Sequence, residues 1–209
     1  MASALLLFLT LPFVFSVDPK CPEGFHYFKR APTAWNNYTK EWCLGVIDGK
    51  EDCGNRDFAR SICINHNATI SMPENKHEFE FVTKIPGAKK TKINHAIDGQ
   101  MSPRCVNKYM KHHYWFRKET GECNLKKGLF LFDDINTDPS FILDNSEGSP
   151  NHDDAHRVNE TTSLVKYIST CLTIMGGQIQ TEFCFGQQMN EYNSKAADIR
   201  TVVCGRPPL

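Results

Sequence analysis

The sequence lacks long hydrophobic runs beyond its first twenty residues, and it has no excess of charge of either sign. No later stretch approaches the roughly 20 apolar residues that a transmembrane helix needs. Lysine and arginine total 24, and aspartate and glutamate total 24. A balanced chain has no net field to draw in nucleic acid or an anionic membrane, so we expect neither a nucleic-acid partner nor a membrane span.

The sequence also lacks the short motifs that mark common catalytic and cofactor sites. It contains no G-x-S-x-G, no H-E-x-x-H, no P-loop and no G-x-G-x-x-G. Its scattered acidic residues do not indicate a glycosidase pair, because any chain of this size supplies such pairs. We therefore predict that the protein is not an enzyme and that it carries no cofactor.

The chain begins with a short apolar segment. Residues 5–15 are almost wholly apolar, and no charge precedes Asp18. This length suits the apolar region of a signal peptide, and the small residues Val14 and Ser16 suit a cleavage site. We therefore expect residues 1–16 to be a signal peptide and the protein to be secreted and extracellular. An uncleaved anchor is the alternative.

Nine cysteines are spread along the rest of the chain, and none forms the C-x-x-C pair that is typical of zinc sites. Export brings thiols into an oxidising compartment, so the cysteines favour a disulfide framework. Three N-x-T sequons point the same way, and we expect N-linked glycan at one or more of them. They are Asn37, Asn67 and Asn159.

About 190 residues remain after the predicted cleavage, which is enough for one domain with a core. Residues 21–46 alternate aromatic and polar side chains, which predicts a strand hairpin. Asn55 can cap a first helix that ends near residues 66–67 and has an apolar stripe at Phe58 and Ile62. A second helix follows Pro73 and places apolar residues on one face, namely Phe79, Val82 and Ile85.

Beyond Pro86 the pattern changes to short apolar runs separated by long polar stretches. Two helices followed by short strands and long loops predict an α+β domain. The loops exceed ordinary connection lengths, so we expect them to be functional or held by disulfides. The apolar runs are residues 96–97, 129–132, 141–143, 171–175 and 201–204.

A series of short motifs resembles the C-type lectin-like domain, and most closely the nematode-type secreted members of that family. The resemblance rests on the order and spacing of the motifs and covers roughly residues 21–207. The motifs are CPEGF at 21–25, WCLGV at 42–46, NATIS at 67–71, PEN at 73–75, AIDG at 96–99, LFDD at 131–134, SPN at 149–151, CLTI at 171–174 and VVCGRPP at 202–208.

The resemblance implies an α+β C-type lectin-like fold, with two helices, small antiparallel sheets and long disulfide-held loops. It implies one domain over residues 21–207, with an N-terminal hairpin at 21–46. It also implies four disulfides and leaves Cys53 unpaired within the chain, free to link two chains as a dimer. The implied pairs are Cys21–Cys43, Cys63–Cys204, Cys105–Cys123 and Cys171–Cys184.

In the family, a calcium-dependent sugar site combines a Glu/Gln-Pro-Asn/Asp loop with a Trp-Asn-Asp strand. Here residues 149–151 read Ser-Pro-Asn, and residues 179–181 read Ile-Gln-Thr. Calcium needs six to eight oxygen ligands, so we predict no calcium site and no metal. The candidate ligand-binding residues at these positions are Ser149, Pro150, Asn151, Asp153, Asp154, Gln180 and Glu182.

Two further segments have alternative interpretations. Residues 151–156 contain two aspartates and two histidines, and the spacing of His152 and His156 can suit zinc. Acids there could also form a displaced calcium site, and a polar exposed loop is the simpler alternative. Residues 112–115 read His-His-Tyr-Trp, which could form a partly buried aromatic patch or a surface that stacks on a sugar or a protein.

Three functional hypotheses follow. The first is a secreted binding module that recognises a glycan or an extracellular protein without calcium, in an innate-immune or host–microbe role suggested by family analogy. The second is a structural or partner-binding extracellular protein with no carbohydrate affinity. The third is a lectin with a displaced metal site formed by Asp153, Asp154 and His156.

Overall fold

The structure, a computed structural model, describes residues 20–49, 56–84, 94–105, 121–125, 128–146, 169–183 and 199–209. Eight strands and three helices lie wholly within these residues, in an α+β arrangement, and residues 103–105 are also helical. The strands are β1 (Phe25–Lys29), β2 (Glu41–Asp48), β3 (Thr69–Ile70), β4 (Asn94–Met101), β5 (Phe130–Leu131), β6 (Ser169–Met175), β7 (Gln178–Phe183) and β8 (Ile199–Arg206). The helices are α1 (Arg56–Asn65), α2 (Lys76–Lys84) and α3 (Ser140–Asn145).

The strands join in one sheet with the order β1-β2-β8-β4-β6-β7, while β3 pairs with β8 and β5 pairs with β4. The β4–β8 pair is parallel, and the other strand pairs are antiparallel. The last strand therefore lies inside the sheet, between the N-terminal hairpin and the strands of the second half. The backbone N–H of Leu209 also donates to the carbonyl of Lys20 at 2.8 Å, so the segment after β8 lies beside the segment before β1.

The N-terminal hairpin forms as the alternation of aromatic and polar residues predicts. Residues 25–29 pair with residues 41–45, and a disulfide joins Cys21 to Cys43. Phe28, Trp42 and Leu44 are buried against the second half of the fold. The hairpin thus contributes one wall of the core.

Both predicted helices are present, with ends close to those expected. Helix α1 buries Ala59 and Cys63 and ends at Asn65, where the N–H of Ala68 returns to the carbonyl of Cys63 at 2.9 Å. Helix α2 begins after Asn75, whose Oδ1 accepts from the N–H of Glu78 at 3.0 Å as an N-cap side chain does. Asn55 and Ile85, at the predicted ends of these helices, lie outside the described residues.

The sheet is buried on both faces, because successive residues of a strand point to opposite sides. In β4, Ile97 joins the larger apolar cluster and Ala96 joins the smaller one. In β8, Val203 joins the larger cluster, and Cys204 joins the smaller. Helix α1 packs against β8 and β3 on the side of the smaller cluster. The central strands therefore have no solvent-facing side there.

The prediction of a strand at residues 141–143 is wrong, because these residues lie in helix α3. Asp138 Oδ1 accepts from the N–H of Ser140 at 2.9 Å, and Leu143 N–H reaches the carbonyl of Pro139 at 3.0 Å. These local bonds start a helical turn that three consecutive apolar residues cannot indicate, because a short apolar run fits either element. The sheet also differs from the small antiparallel sheets expected, since its strands join into one sheet that contains a parallel pair.

Three disulfides join described cysteines, namely Cys21–Cys43, Cys63–Cys204 and Cys105–Cys123. These are three of the four pairs that the resemblance implies. Cys171 is also disulfide-bonded. Cys184 and Cys53 lie outside the described residues, as do the predicted signal peptide at 1–16, residues 112–115 and Asn159. In the described part of the chain, no helix is long and apolar enough to cross a membrane.

His95 in β4 makes the stability of the fold sensitive to mild acid. The residue is 2% exposed, and Nδ1 lies 2.6 Å from Thr201 Oγ1. Burial lowers the pKa of His95 from 6.5 to about 4. In the unfolded chain this side chain is protonated below about pH 6.5, whereas in the folded chain it stays neutral down to about pH 4. The contribution of neutral, buried His95 to the free energy of unfolding is therefore fully present above pH 6.5 and is lost as the pH falls towards 4.

We expect the His95 contribution to the free energy of unfolding to fall by about 2 kcal/mol between pH 7 and pH 5. His95→Asn, which keeps a polar atom near the Nδ1 position, should lose this pH dependence. Urea unfolding of both proteins at the two pH values measures the difference. Asp98 titrates in both proteins and so cancels from the comparison. Equal pH dependence in wild type and variant would contradict the assignment to His95.

Candidate ligand-binding face

The β6–β7 hairpin has a two-residue turn that fixes its register. Gly176 and Gly177 have φ values of 58° and 83°, the left-handed region that glycine adopts without strain in such turns. Met175 therefore pairs with Gln178, and Ile174 pairs with Ile179. Both isoleucines are buried, at 1% and 2% exposure, so this face of the hairpin is held by the core.

Two glutamines lie on the opposite face of β7. Gln178 is exposed and Gln180 is half-buried, and Gln180 Nε2 donates to Gln178 Oε1 at 3.2 Å. We refer to Gln178 and Gln180 together as the amide face. Its backbone is fixed by the register with β6, in which Gln180 pairs with Thr173. Two neutral amides therefore stand side by side on a strand whose other face is anchored.

A loop at residues 132–139, which leads into α3, lies near β6. The side chains of Phe132 and Leu172 both fill the space where a Cβ of residue 99 would lie, and Gly99 has a φ of 126°. A side chain at position 99 would therefore collide with its neighbours and also strain the backbone. Glycine at this position lets the loop and strand β6 approach each other.

Buried Asp98 holds the start of this loop through its backbone. Its Oδ2 accepts from the N–H groups of Asp133 at 2.7 Å and Asp134 at 2.8 Å, and its Oδ1 accepts from Gly99 N–H at 2.8 Å. Arg56 Nη2 lies 2.5 Å from Asp98 Oδ1. Burial raises the pKa of Asp98 to about 6, against the opposing charge of Arg56 and the backbone donors. The carboxyl group is therefore ionised at pH 7.

Asp133 links the same loop to helix α1. Arg60 Nε lies 2.6 Å from Asp133 Oδ2, and Arg56 Nη2 lies 3.2 Å from it. Burial tends to raise the pKa of Asp133, but the hydrogen bond from Arg60 and the two positive charges hold it below its usual value. Asp133 is therefore an ionised anchor between loop and helix.

The middle of the loop is held by the hydrogen bonds of Asp134, a loop residue, and of Arg30, which follows β1. Asp134 Oδ2 accepts from Ser71 Oγ at 2.5 Å and from Thr137 Oγ1 at 2.6 Å. Arg30 Nη1 donates to Thr137 Oγ1 and to the carbonyl of Asn136, both at 2.9 Å. Because these partners come from different parts of the chain, the loop is positioned by the tertiary fold rather than by its own sequence.

The hairpin, the anchored loop and the disulfides belong to a chain that matches a known protein family. A model of the family described as C-type lectin domain-containing protein 141/158 matches residues 27–207. The chain belongs to this family. Its membership and its α+β architecture confirm the predicted C-type lectin-like class, and the matched range falls inside the predicted domain at 21–207.

One curated member of the family is similar over part of its length. C-type lectin domain-containing protein 141 of Caenorhabditis elegans is 26% identical over 131 residues, which are 58% of this chain and 40% of that protein. The chain therefore spans well under half the length of this relative. Whatever the longer protein does as a whole is not carried over by this match.

Several solved structures are similar at low identity. The cow C-type carbohydrate-recognition domain of CD23 is 16% identical, with 90% of this chain and 97% of that domain covered and a TM-score of 0.44. A calcium-independent type II antifreeze protein is 11% identical, with 93% and 99% covered and a TM-score of 0.44. Human lithostathine is 14% identical, with 90% and 91% covered and a TM-score of 0.44. Because these TM-scores are below 0.5, the family membership of the chain rests on the family model and not on the solved structures.

For this member of the 141/158 family, the predicted site residues fall into two groups. Gln180 lies on the amide face, and Glu182 lies two positions further along β7, where it pairs with Cys171. The others lie outside the described residues, so their predicted role stays a prediction. They are Ser149, Pro150, Asn151, Asp153, Asp154 and the alternative metal ligands His152 and His156.

The family's calcium chemistry does not fit the donor set on β7. Positions 179–181 supply an apolar side chain, an amide that is bonded to Gln178, and a hydroxyl, with no carboxylate among them. Calcium prefers several charged oxygen ligands. Among the residues that the structure describes, no three His, Cys, Asp or Glu side chains come close enough to hold a metal ion.

Sequence reasoning missed the anchors of the loop and an exposed aromatic pair. Asp98 stands among apolar residues of a buried strand, and an acid in that position was the available signal for a buried polar network. Trp35 and Tyr38 are 73% and 69% exposed in the turn between β1 and β2. Their signal was the coincidence of two aromatics with the sequon at Asn37.

Proposed function

We propose that the protein is a secreted, non-enzymatic binding module that holds a glycan or an extracellular protein by direct hydrogen bonds, without a bridging calcium ion. The observation that carries this proposal is the amide face. By the spacing to Cys184, Gln180 corresponds to the amide ligand in the strand motif of the family's calcium-dependent members, and Gln178 lies beside it on the same face. A neutral amide pair is poorly suited to a divalent cation and well suited to hydroxyl or peptide groups.

The physical basis is the donor and acceptor capacity of amides. A glutamine amide has two N–H donors and a carbonyl acceptor, so Gln180 can keep its bond to Gln178 through one N–H while its other N–H and its carbonyl meet a ligand. Sugar hydroxyls and peptide groups likewise donate and accept. The two-residue turn and the buried isoleucines hold the strand in place, which reduces the entropy lost on binding.

The remaining candidate residues would complete the site from the segment of the chain that follows α3. Ser149 and Asn151 offer a hydroxyl and an amide, Pro150 restricts the backbone between them, and Asp153 and Asp154 offer acceptors for ligand hydroxyls. The innate-immune or host–microbe role belongs to the same proposal and rests on family analogy. A dimer linked through Cys53 is a further part, and Cys53→Ser should then convert a dimer band to a monomer band on a non-reducing gel.

A glycan array probed with the purified domain, with and without a calcium chelator, tests the proposal. We expect binding that the chelator does not reduce. Silence on the array, with no sugar bound, would support the structural or protein-binding alternative. Binding that the chelator abolishes would overturn the calcium-free proposal and support a displaced metal site at Asp153, Asp154 and His156.

Gln180→Ala is expected to weaken binding of the array ligand about 5–10-fold, the loss of roughly one ligand hydrogen bond. Lys29→Ala is the matched control, because Lys29 is exposed on β1 at the opposite edge of the sheet. Titration of the selected glycan into each protein gives the two affinities. An unchanged affinity in Gln180→Ala would place the site elsewhere.

A further inference from the structure

The turn between β1 and β2 exposes two large aromatic side chains beside a sequon. Trp35 is 73% exposed and Tyr38 is 69% exposed, although apolar rings of this size are usually buried or covered. Asn37, the acceptor of the sequon Asn37-Tyr38-Thr39, lies between them and is also exposed. The exposed rings therefore flank a potential glycan attachment point.

The turn is rigid because its central side chain is buried. Asn36 has 0% exposure, donates to the carbonyl of Ala31 and to Glu74 Oε1, both at 2.9 Å, and accepts from Thr33 N–H at 2.8 Å. Two backbone bonds close the turn, from Tyr38 N–H to the carbonyl of Thr33 at 2.8 Å and from Thr39 N–H to the carbonyl of Asn36 at 3.0 Å.

The hydrogen bonds of buried Asn36 set the directions of the neighbouring side chains. Asn36 points inward, so Trp35 and Asn37 on either side of it both project to solvent. Asn37 and Tyr38 have φ values of 51° and 57°, a left-handed conformation that turns the chain sharply. Trp35 and Asn37 therefore stand on the outside of one closed turn, two positions apart.

The sequon side chains are compatible with an attached sugar. Asn37 Nδ2 donates to Asn136 Oδ1 at 3.5 Å, and Thr39 Oγ1 donates to the same atom at 3.4 Å. An asparagine amide has two N–H groups, so one hydrogen can keep the contact with Asn136 after the other is replaced by a sugar. The contact with Asn136 on the neighbouring loop then still orients the linkage.

We propose that Asn37 carries an N-linked glycan whose first N-acetylglucosamine stacks on the Trp35 ring and stabilises the turn. The proposal rests on the secretory part of the proposed function, because such glycans are added in the secretory pathway. In the transfer step, Asn37 Nδ2 forms a bond to the anomeric carbon of a lipid-linked oligosaccharide. The bond from that carbon to the lipid diphosphate breaks, the diphosphate leaves with the electron pair, and Nδ2 loses one proton.

The stabilisation follows from the chemistry of both surfaces. One face of a pyranose ring presents C–H groups, which pack on the electron-rich face of an indole and remove apolar area from water. The entropy lost is small because the turn is already held by Asn36. Tyr38 is also exposed, but it is adjacent to Asn37, whereas Trp35 lies two positions before it. Replacing Tyr38 therefore tests whether any exposed aromatic ring gives the effect or only the ring at the position of Trp35.

The sequon at Asn67 offers a second control within the same chain. Asn67 is exposed and also has a left-handed φ, of 51°, but residue 65, two positions before it, is an asparagine. A glycan at Asn67 therefore has no aromatic ring at the corresponding position. Any stabilisation that depends on stacking should be specific to Asn37.

The test uses the full chain made in eukaryotic secretory cells, once with its own N-terminal segment and once behind a heterologous leader. Mass spectrometry determines the occupancy of Asn37. The glycoprotein is then compared after treatment with an endoglycosidase that leaves the first N-acetylglucosamine and after complete removal of the glycan by an amidase. Thermal unfolding is measured for each form of wild type, Trp35→Ala and Tyr38→Ala.

We expect trimming to the first sugar to leave the unfolding midpoint unchanged and complete removal to lower it by about 2–4 °C. Because the amidase also converts Asn37 to aspartate in every variant, the loss should shrink in Trp35→Ala to the effect of that conversion alone and should persist in Tyr38→Ala. An unmodified Asn37 in chains glycosylated elsewhere would overturn the proposal while leaving secretion intact. If Asn37 is glycosylated only behind the heterologous leader, the prediction that residues 1–16 direct export is wrong, and the glycan proposal still stands. An equal loss in wild type and Trp35→Ala would overturn the stacking.

Discussion

Removal of the Cys63–Cys204 disulfide, by Cys63→Ala together with Cys204→Ala, is expected to lower the free energy of unfolding by about 5 kcal/mol. The bond closes a loop with a sequence separation of 141 residues, the longest of the three disulfides between described cysteines. Opening so long a loop returns the most conformational entropy to the unfolded chain. Domains are commonly stable by about 5–15 kcal/mol, so this loss can remove most of the stability.

The position of this disulfide in the fold adds to the effect. It joins helix α1 to β8, and β8 pairs with β2, β3 and β4. Both cysteines are fully buried in the smaller apolar cluster, so replacement by alanine also leaves a cavity there. Loosening this joint should therefore weaken the sheet at its centre rather than at an edge.

Urea unfolding at pH 7 measures the change. Cys105→Ala with Cys123→Ala is the matched control, because that loop has a sequence separation of only 18 residues and should contribute about 3 kcal/mol. All variants and the reference protein carry Cys53→Ser, so that the thiol predicted to be unpaired cannot exchange with the remaining disulfides. Equal losses from the two disulfides would contradict the dependence on loop length.

Glu78→Gln is expected to lower the free energy of unfolding by about 3–5 kcal/mol. Glu78 and Arg30 form a two-armed pair, with Arg30 Nε and Nη2 each 2.8 Å from a Glu78 oxygen, and both side chains are fully buried. Neutralising one partner leaves the guanidinium of Arg30 buried with much less compensation. Glu74, at 3.5 Å from Arg30, compensates only partly because it is further away.

The change should also reach the candidate site. Arg30 donates to the Asn136 carbonyl and to Thr137 Oγ1 in the loop at 132–139, and Glu78 Oε2 accepts from Glu74 N–H at 2.8 Å. A weakened pair therefore frees both the start of α2 and the loop that leads into α3. We expect faster amide hydrogen exchange in these two segments than in β8.

Glu80→Gln supplies the control for the Glu78 prediction. It is the same substitution in the same helix, and it breaks a pair with Lys84 that is exposed to solvent. Exposed pairs contribute little because water screens the charges. Urea unfolding should therefore show a large loss for Glu78→Gln and little change for Glu80→Gln. If the two substitutions have similar effects, the buried pair is not the stabilising element described here.

The local elements of this fold could be predicted from the sequence because their signals are local. Alternating aromatics predicted the β1–β2 hairpin, and the stripes at Phe58 and Val82 predicted α1 and α2. The prediction failed at residues 141–143, where a helix is started by Asp138 and Pro139. Three apolar residues are too few to show a helix or strand periodicity, so only the local hydrogen bonds to Asp138 and Pro139 distinguish the two elements.

The candidate site likewise has one part that the sequence predicts and another part that only the folded structure shows. Counting back from Cys184 along the sequence placed Gln180 at the strand position where family members bind calcium, and the structure places it on the amide face of β7. The loop anchors could not be found by counting. Asp98, Arg30 and Arg56 meet the loop from elements far apart in sequence, and no local pattern indicates which buried charge finds which partner.

The sequence by itself determined the class of the domain, the strand and helix periods, and the absence of carboxylates at positions 179–181, because these properties depend on residue type and spacing. Only the tertiary structure decided that β8 lies inside the sheet and that the buried ion pairs Arg30–Glu78 and Arg56–Asp98 support the loop at 132–139. It also decided that Asn36 turns Trp35 and Asn37 outward together. Such contacts join residues tens of positions apart, so they exist only once the chain has folded.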